Sequence, residues 1–156
     1  MSNEVSVFDG SAGDVSARKF AIAVSTYNKP ITEKLLNGSL DMLAREGADS
    51  SLISVYWVPG AWELALAASC LVSECDAVIC LGAVIKGDTT HDQYINSMVS
   101  NELGKISVQH QKPIAFGVLT CNTVDQAIQR SGGKIGNKGE EAASAAVTML
   151  RLFDQT

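Results

Sequence analysis

The sequence has few basic residues. Its 156 residues include 12 Lys and Arg against 17 Asp and Glu, which gives a formal net charge of −5. Because proteins hold nucleic-acid phosphates with clustered Lys and Arg, this balance argues against nucleic acid as the main partner. No apolar run approaches the roughly 20 residues that a bilayer-spanning helix needs, and the polar start MSNEVSVFDG is unlike a signal peptide. We therefore expect a cytoplasmic protein that binds neither nucleic acid nor membranes.

Closely paired cysteines of the kind that bind zinc are also missing. Cys70, Cys75 and Cys80 lie five residues apart, Cys121 is distant, and no CxxC pair occurs. Zinc sites favour paired ligands, and disulfides need an oxidising compartment. We interpret the four cysteines as small buried apolar residues. The sequence predicts no metal site.

What the sequence does contain is a regular alternation of apolar runs and helical patterns. The apolar runs predict strands at 20–25, 52–58, 76–81 and 113–119, and the segments after them predict helices at 28–47, 62–72, 92–110, 123–131 and 138–153. Almost wholly apolar strands separated by helices are typical of a parallel sheet covered on both faces. We therefore predict a single domain over residues 1–156. Its fold class is α/β, a three-layer α/β/α sandwich of the flavodoxin-like kind with a four-stranded parallel sheet.

Residues 1–19 precede this α/β core, which spans 20–156. The segment VSVFDG looks like an extra N-terminal strand, and the following SAGDVSA looks like a flexible linker. Such a strand can pair with the edge of its own sheet or with the sheet of a neighbouring subunit. The sequence leaves both alternatives open.

One segment, LGAVIKGDTTHDQY at 81–94, combines glycines, threonines and a histidine after the third predicted strand. We predict a strand-to-helix turn that faces an anion, because helix N-termini carry unsatisfied N–H donors and partial positive charge. His91 adds a group that can transfer protons. The spacing Gly82-x4-Gly87 also invites a P-loop interpretation, but Asp88 stands where the essential lysine would be, so that motif fails.

Other polar and aromatic residues follow the first two predicted strands. Tyr27 and Asn28 come after the first strand, and Trp62 and Glu63 come after the second. In open α/β sheets, ligands lie beyond the carboxyl ends of the strands, so these residues and His91 would share a crevice. That crevice suits a flat polar ring with hydroxyls and a phosphate. Each residue alone also has a structural explanation, such as packing for the aromatics and helix-dipole compensation for Glu63.

Five segments taken in order carry a family resemblance. They are STYNKPIT at 25–32, VPGAWEL at 58–64, LGAVIKGDTTHDQYI at 81–95, FGVLTCNTVDQAIQR at 116–130 and GNKGEEAA at 136–143. Together they resemble the 6,7-dimethyl-8-ribityllumazine synthases, or lumazine synthases, of riboflavin biosynthesis. The resemblance implies a transferase that condenses 5-amino-6-(D-ribitylamino)uracil with 3,4-dihydroxy-2-butanone 4-phosphate and releases phosphate and water. It implies no metal and no organic cofactor.

The resemblance also implies a role for each matching residue. His91 would be the catalytic proton-transfer group. The ribitylaminouracil would be bound by Tyr27, Asn28, Ala61, Trp62, Glu63, Ala83, Val84, Ile85, Phe116 and Lys138. The butanone phosphate would be bound by Asp88, Thr89 and Arg130, with Glu141 in a supporting place. Two positions depart from the family pattern, because Tyr27 replaces Phe or Trp and Ala65 replaces a common proline.

An oligomer is the last expectation. Phe116 lies in mid-strand and Arg130 one helix later, away from the strand ends that carry Tyr27, Glu63 and His91. If all five contact one ligand, the simplest arrangement takes Phe116 and Arg130 from an adjacent subunit, as in the pentamers of the family. The short SGGKIG connection resembles that of members that build an icosahedral 60-subunit shell, which can enclose riboflavin synthase. The alternatives are a catalytically weak shell-forming protein or a flavin-binding protein of the same fold.

Overall fold

A computed structural model describes residues 4–156 of the chain. The strands of its main sheet are β1 (Phe20–Ser25), β2 (Ile53–Val58), β3 (Ala77–Ile85) and β4 (Ile114–Cys121). The helices are α1 (Lys29–Arg45), α2 (Leu64–Leu71), α3 (His91–His110), α4 (Val124–Gln129) and α5 (Lys138–Asp154). Two 3₁₀ turns (Ser50–Leu52 and Ala61–Glu63) and a short antiparallel pair, β5 (Ser131–Gly133) and β6 (Gly136–Asn137), complete the described residues.

The four strands are parallel and lie in the order β2-β1-β3-β4. Along β1 and β3, alternate side chains enter two separate apolar layers. Ile22 and Ile79 pack against α1 and α5, whereas Ala23 and Cys80 pack against α2 and α3. A sheet covered on both faces explains why these strands read as continuous apolar runs. The structure therefore confirms the predicted three-layer α/β/α sandwich.

Strand β3 is longer than the sequence indicated, because it runs to Ile85 rather than ending at Leu81. Gly82 therefore lies inside the strand, paired with Val118, and not in a turn. A Cβ at Gly82 would lie 3.2 Å from Leu64 Cδ1. The glycine thus permits a close approach of the chain leading into α2, which a sequence pattern cannot distinguish from a strand break.

The N-terminal part differs from expectation in one respect. Residues 10–19, which we call the strap, are not a loose linker, since Val15 is buried and two side chains of the C-terminal region hold the backbone. Arg151 Nε donates to the Gly13 carbonyl at 2.8 Å, and Gln155 Nε2 donates to the Ala12 carbonyl at 3.2 Å. Among the described residues, 4–19 contain no strand, so they do not pair with their own sheet. Pairing with a neighbour stays a prediction.

None of the helices in residues 4–156 is long and apolar enough to cross a bilayer.

Candidate active site

A cavity of about 470 Å³ lies where the carboxyl ends of β1, β2 and β3 meet the start of α3. We call it the first cavity. Nine of the residues expected at the site line it, namely Tyr27, Ala61, Trp62, Glu63, Ala83, Val84, Ile85, Thr89 and His91. Parallel strands bring their carboxyl ends to one edge of the sheet, which explains why segments so distant in sequence meet here.

Two aromatic rings of the first cavity are open to solvent. Tyr27 is 73% exposed and Trp62 is 50% exposed, so neither ring is used to fill the core. The position of Tyr27 is set by its backbone, because its N–H donates to the Pro59 carbonyl at 3.0 Å. This bond extends the pairing of β1 and β2 beyond their ends. The backbone at Tyr27 is therefore held in place, and both exposed rings are available to a ligand.

Glu63 has a defined orientation in the same cavity. Its Oε2 accepts a hydrogen bond from the Gly60 N–H at 3.0 Å, which closes the turn before α2. This bond to the residue before the turn fixes the carboxylate at the start of a helix. The other oxygen, Oε1, is left to accept from a ligand.

Asn28 has a different place from the one expected. It adopts a left-handed backbone (φ 59°), which asparagine tolerates better than most residues, and it lies at the N-cap position of α1, where its side chain makes no capping hydrogen bond. Its Nδ2 donates to the Ala83 carbonyl at 2.8 Å. Asn28 thus ties the end of β1 to β3 and does not line the first cavity.

The turn between β3 and α3 holds three expected residues, Asp88, Thr89 and His91. Thr89 Oγ1 accepts from the His91 N–H at 3.3 Å, so this hydroxyl caps the first residue of α3. The His91 side chain is exposed at the mouth of the first cavity. Asp88 is also exposed, but it does not line the first cavity. The contact of Asp88 with a phosphate stays a prediction.

The other expected residues line a second cavity of about 420 Å³ along β4, at the edge of the sheet. They are Phe116, Arg130, Lys138 and Glu141. None of them lines the first cavity. The structure therefore brings 13 of the 15 expected residues together in two groups on one chain, and Asn28 and Asp88 line neither cavity.

The second cavity contains two cationic groups and one carboxylate. Lys138 Nζ donates to Glu141 Oε2 at 2.9 Å, and Arg130 Nη1 donates to the Gln126 carbonyl at 3.3 Å. Burial raises the pKa of the Cys121 thiol in this wall, and the positive charge of Arg130 opposes that rise. The thiol consequently stays protonated, and the cavity keeps a positive balance that suits an anion.

The sequence over residues 17–154 matches the family model described as 6,7-dimethyl-8-ribityllumazine synthase. The chain belongs to this family. The match contains every residue that lines either cavity. As a lumazine synthase family member, the chain is a transferase of riboflavin biosynthesis.

The sequence interpretation gave no role to Asp92 and Ile95, two residues of the first cavity, whereas it placed glycine turns there. Gly60, Gly87, Asp92 and Ile95 line the first cavity together with the expected residues. The glycines are explained by their turns. In the sequence Asp92 is recognisable only as an acidic residue in the first turn of a helix, and such a residue usually compensates the helix dipole.

A larger groove, of about 770 Å³, lies at the opposite end of the sheet. It is lined mainly by apolar residues near the ends of α3 and α5. Its one charged side chain, Lys112, already donates to the carbonyls of Val72 and Cys75 at 2.8 Å. The charged group of this groove is therefore already paired, and none of the residues expected at the site of this lumazine synthase family member lines it.

Proposed function

We propose that this protein condenses 5-amino-6-(D-ribitylamino)uracil with 3,4-dihydroxy-2-butanone 4-phosphate to give 6,7-dimethyl-8-ribityllumazine, phosphate and water. The observation that carries the proposal is the first cavity, where two exposed aromatic rings, an oriented carboxylate and a helix-start histidine surround one space. The family match supports the same reaction. The reaction needs no cofactor, because an amine and a carbonyl compound supply the electrons for every bond formed.

The aminopyrimidine occupies the cavity floor in this proposal. Tyr27 stacks on the ring, and Ala61 and Trp62 border the ribityl chain. Glu63 accepts from the ribityl hydroxyls through Oε1 while Oε2 stays on Gly60. Backbone groups of Ala83, Val84 and Ile85 contact the edge of the pyrimidine. Asn28 contributes through the Ala83 carbonyl that it holds.

The butanone phosphate lies at the start of α3. Helix N-termini offer N–H donors to phosphates, and the Thr89 hydroxyl and the Asp88 backbone stand beside them. Imine formation, phosphate elimination and ring closure each require a proton to be moved. His91 accepts and returns these protons, a contribution that is typically worth about 10²–10⁴-fold in rate. Holding the two substrates together contributes further.

A complete site combines two subunits in this proposal. Phe116 and Lys138 of a neighbour close the pyrimidine side, Arg130 of the neighbour binds the phosphate with its guanidinium fork, and Glu141 positions Lys138. We therefore propose a homo-oligomer, a pentamer that can assemble into a 60-subunit shell around riboflavin synthase, in the cytoplasm. The exposed edge strand β2 is where residues 4–9 of a neighbour would pair.

The decisive experiment is turnover of the two substrates to a fluorescent lumazine. Wild type is expected to form the product, and His91→Ala is expected to form it at least about 10²-fold more slowly with unchanged thermal stability, because the side chain is exposed. A wild type that binds the uracil without turnover would be a shell-forming protein of this fold. A wild type that binds flavin instead would be a flavin-binding protein. Either result refutes the proposed activity.

A further inference from the structure

The face of α3 that packs on the sheet changes from apolar to polar towards the first cavity. Val99, Leu103 and Ile106 are buried on this face. The same spacing of three and four residues continues back to Asn96 and Asp92, so both share the face. The apolar stripe of α3 therefore ends in an amide and a carboxylate.

Asp92 and Asn96 each have one oxygen that lacks both solvent exposure and a hydrogen-bond partner. These atoms are Asp92 Oδ1 and Asn96 Oδ1, and Ser25 Oγ is a third atom of the same kind. Within residues 4–156 no other buried side-chain oxygen or nitrogen lacks a partner. Ser25 lies two residues after Ala23 in β1 and therefore on the same face of the sheet. Its Oγ lies 3.4 Å from the place a Cβ of Gly82 would take. All three oxygens belong to the α2 and α3 layer at the carboxyl end of the sheet.

Buried acceptors without a donor are costly, and a carboxylate costs most. Native proteins therefore pair such groups with protein, water or ligand. Asp92 is the one of the three residues that also lines the first cavity, beside His91. A ligand there that carries N–H or O–H donors can bind the other oxygen of this carboxylate, Oδ2, which is not among the buried atoms without a partner, and so compensate the group for the bond that Oδ1 lacks. A phosphate cannot, because a carboxylate repels it.

We propose that Asp92 is a substrate-binding residue that accepts a hydrogen bond from an amine or hydroxyl of the aminopyrimidine. This inference rests on the proposed function and extends it to the division of the cavity between the two substrates. Asp92 holds the donor-rich pyrimidine close to His91 and repels the phosphate substrate from that position. The phosphate is thereby directed to Thr89 and to Arg130 of the neighbour.

The test is a steady-state comparison of Asp92→Asn with wild type, in which each substrate is varied separately. Asp92→Asn keeps the size of the side chain and removes its charge. The KM for 5-amino-6-(D-ribitylamino)uracil is expected to rise about tenfold while that for the butanone phosphate stays within about twofold, as expected for one lost hydrogen bond to a charged group. The matched control is Asp41→Asn on the exposed side of α1, which removes the same charge and leaves both KM values unchanged.

Thermal unfolding without substrates gives a second readout. Because Asp92 Oδ1 has no donor in the free chain, Asp92→Asn is expected to unfold at the same temperature as wild type or higher. A lower Tm overturns the inference, because it points to a structural partner of Asp92. An unchanged KM for the uracil overturns it and points to a buried water only. An equal rise in both KM values overturns it and points to a general distortion. Absence of turnover in wild type refutes the proposed function instead. Asp92 is then tested by the rise in Tm that the uracil causes, which Asp92→Asn must diminish.

Discussion

Glu63 combines a structural and a binding role in a single carboxylate. One oxygen caps the Gly60 N–H at 3.0 Å, and the group also lines the first cavity. The sequence offered a structural explanation for Glu63, compensation of a helix dipole, and a functional one, substrate binding. The same residue can serve both. Substitutions that keep or remove the cap can separate them.

We predict that Glu63→Gln keeps the turn and loses affinity for the uracil substrate, whereas Glu63→Ala loses both. The amide oxygen of Gln can still accept from Gly60, so its Tm stays near wild type while the KM for the uracil rises. Removal of the cap in Glu63→Ala costs about 1 kcal/mol of unfolding free energy. Chemical denaturation and substrate-saturation kinetics of the two variants measure these effects. Equal stability of the two variants would contradict a capping role.

The cysteines give a prediction that depends on burial alone. Burial of all four cysteines was expected, and this is wrong for Cys70, which is exposed; Cys75, Cys80 and Cys121 are buried and unpaired. Burial in β3, with a smaller effect of Cys75, raises the pKa of Cys80 from 9.0 to about 12. A thiol reagent is therefore expected to modify Cys70 alone in the native protein and all four cysteines after denaturation.

The pKa of Cys80 also sets a pH dependence. Between pH 9.0 and about 12 only the unfolded chain ionises this thiol, so the stability of the fold is expected to fall as the pH rises through that range. The variant Cys80→Ala lacks this contribution and is expected to show a shallower decline. Denaturation curves collected across the range provide the measurement, and parallel declines would contradict it.

At the scale of the elements, the contact between α1 and α5 leaves no space for a side chain. A Cβ at Gly139 would lie 2.0 Å from the Leu35 carbonyl oxygen, and Ser39 Oγ donates to the Gly139 carbonyl at 2.7 Å. Because the obstacle is backbone, it cannot move aside without separating the two helices. The glycine is thus required by the packing of the layer that supports β1 and β3.

We predict that Gly139→Ala lowers the free energy of unfolding by about 3 kcal/mol, as overpacking of a close contact does. Gly104 provides the comparison, since it also lies in a helix but a Cβ there would meet nothing within 4 Å. Gly104→Ala is expected to leave stability unchanged or to raise it by up to about 1 kcal/mol. Urea denaturation of both variants tests the pair. A mild effect at Gly139 would show that the helices can shift.

The elements were predictable where the sequence pattern has one physical cause. Apolar runs located all four strands of the sheet, and helical spacing located the helices between them. The predicted end of β3 is wrong, because a glycine in a sequence indicates a break in the strand. Only the structure shows that Gly82 makes room for the Leu64 side chain. The strap looks like a flexible linker in the sequence because its backbone is fixed by the side chains of Arg151 and Gln155, which lie far away in the sequence.

The site was predictable to a similar degree. The strand-end rule and the family motifs led to nine of the residues that line the first cavity. The contact of Asn28 with the substrate stays a prediction, and a motif does not reveal that its amide also donates to the Ala83 carbonyl. Asp92 was missed because the absence of a donor is a property of the packed structure.

For the whole molecule, the separation of the two cavities has a consequence that can be measured. If each site takes His91 from one subunit and Arg130 from the next, inactive His91→Ala and Arg130→Ala chains restore activity when they assemble together. Random mixing of equal amounts leaves both residues intact at about a quarter of the interfaces in a closed ring. Co-expression followed by the fluorescence assay measures the fraction restored.

The matched control mixes His91→Ala with Glu63→Ala. Both residues line the first cavity of the same chain, so no interface regains both, and activity is expected to stay at the average of the separate variants. Light scattering of the wild type adds an independent check. A monomer in solution, or a failure of the first pair to complement, would contradict the shared site.

The strap has one more consequence, which concerns the order of the chain. Gln155 reaches the Ala12 carbonyl and Arg18 pairs with Asp154, so the two ends of the folded core lie side by side. Neighbouring ends permit circular permutation. A short linker from Thr156 to Gly10, with new ends opened between the exposed Gly47 and the half-buried Ala48, is therefore expected to retain the fold. Such a permutant omits residues 1–9, so that the part in assembly proposed for residues 4–9 can be tested by adding or withholding them as a separate peptide.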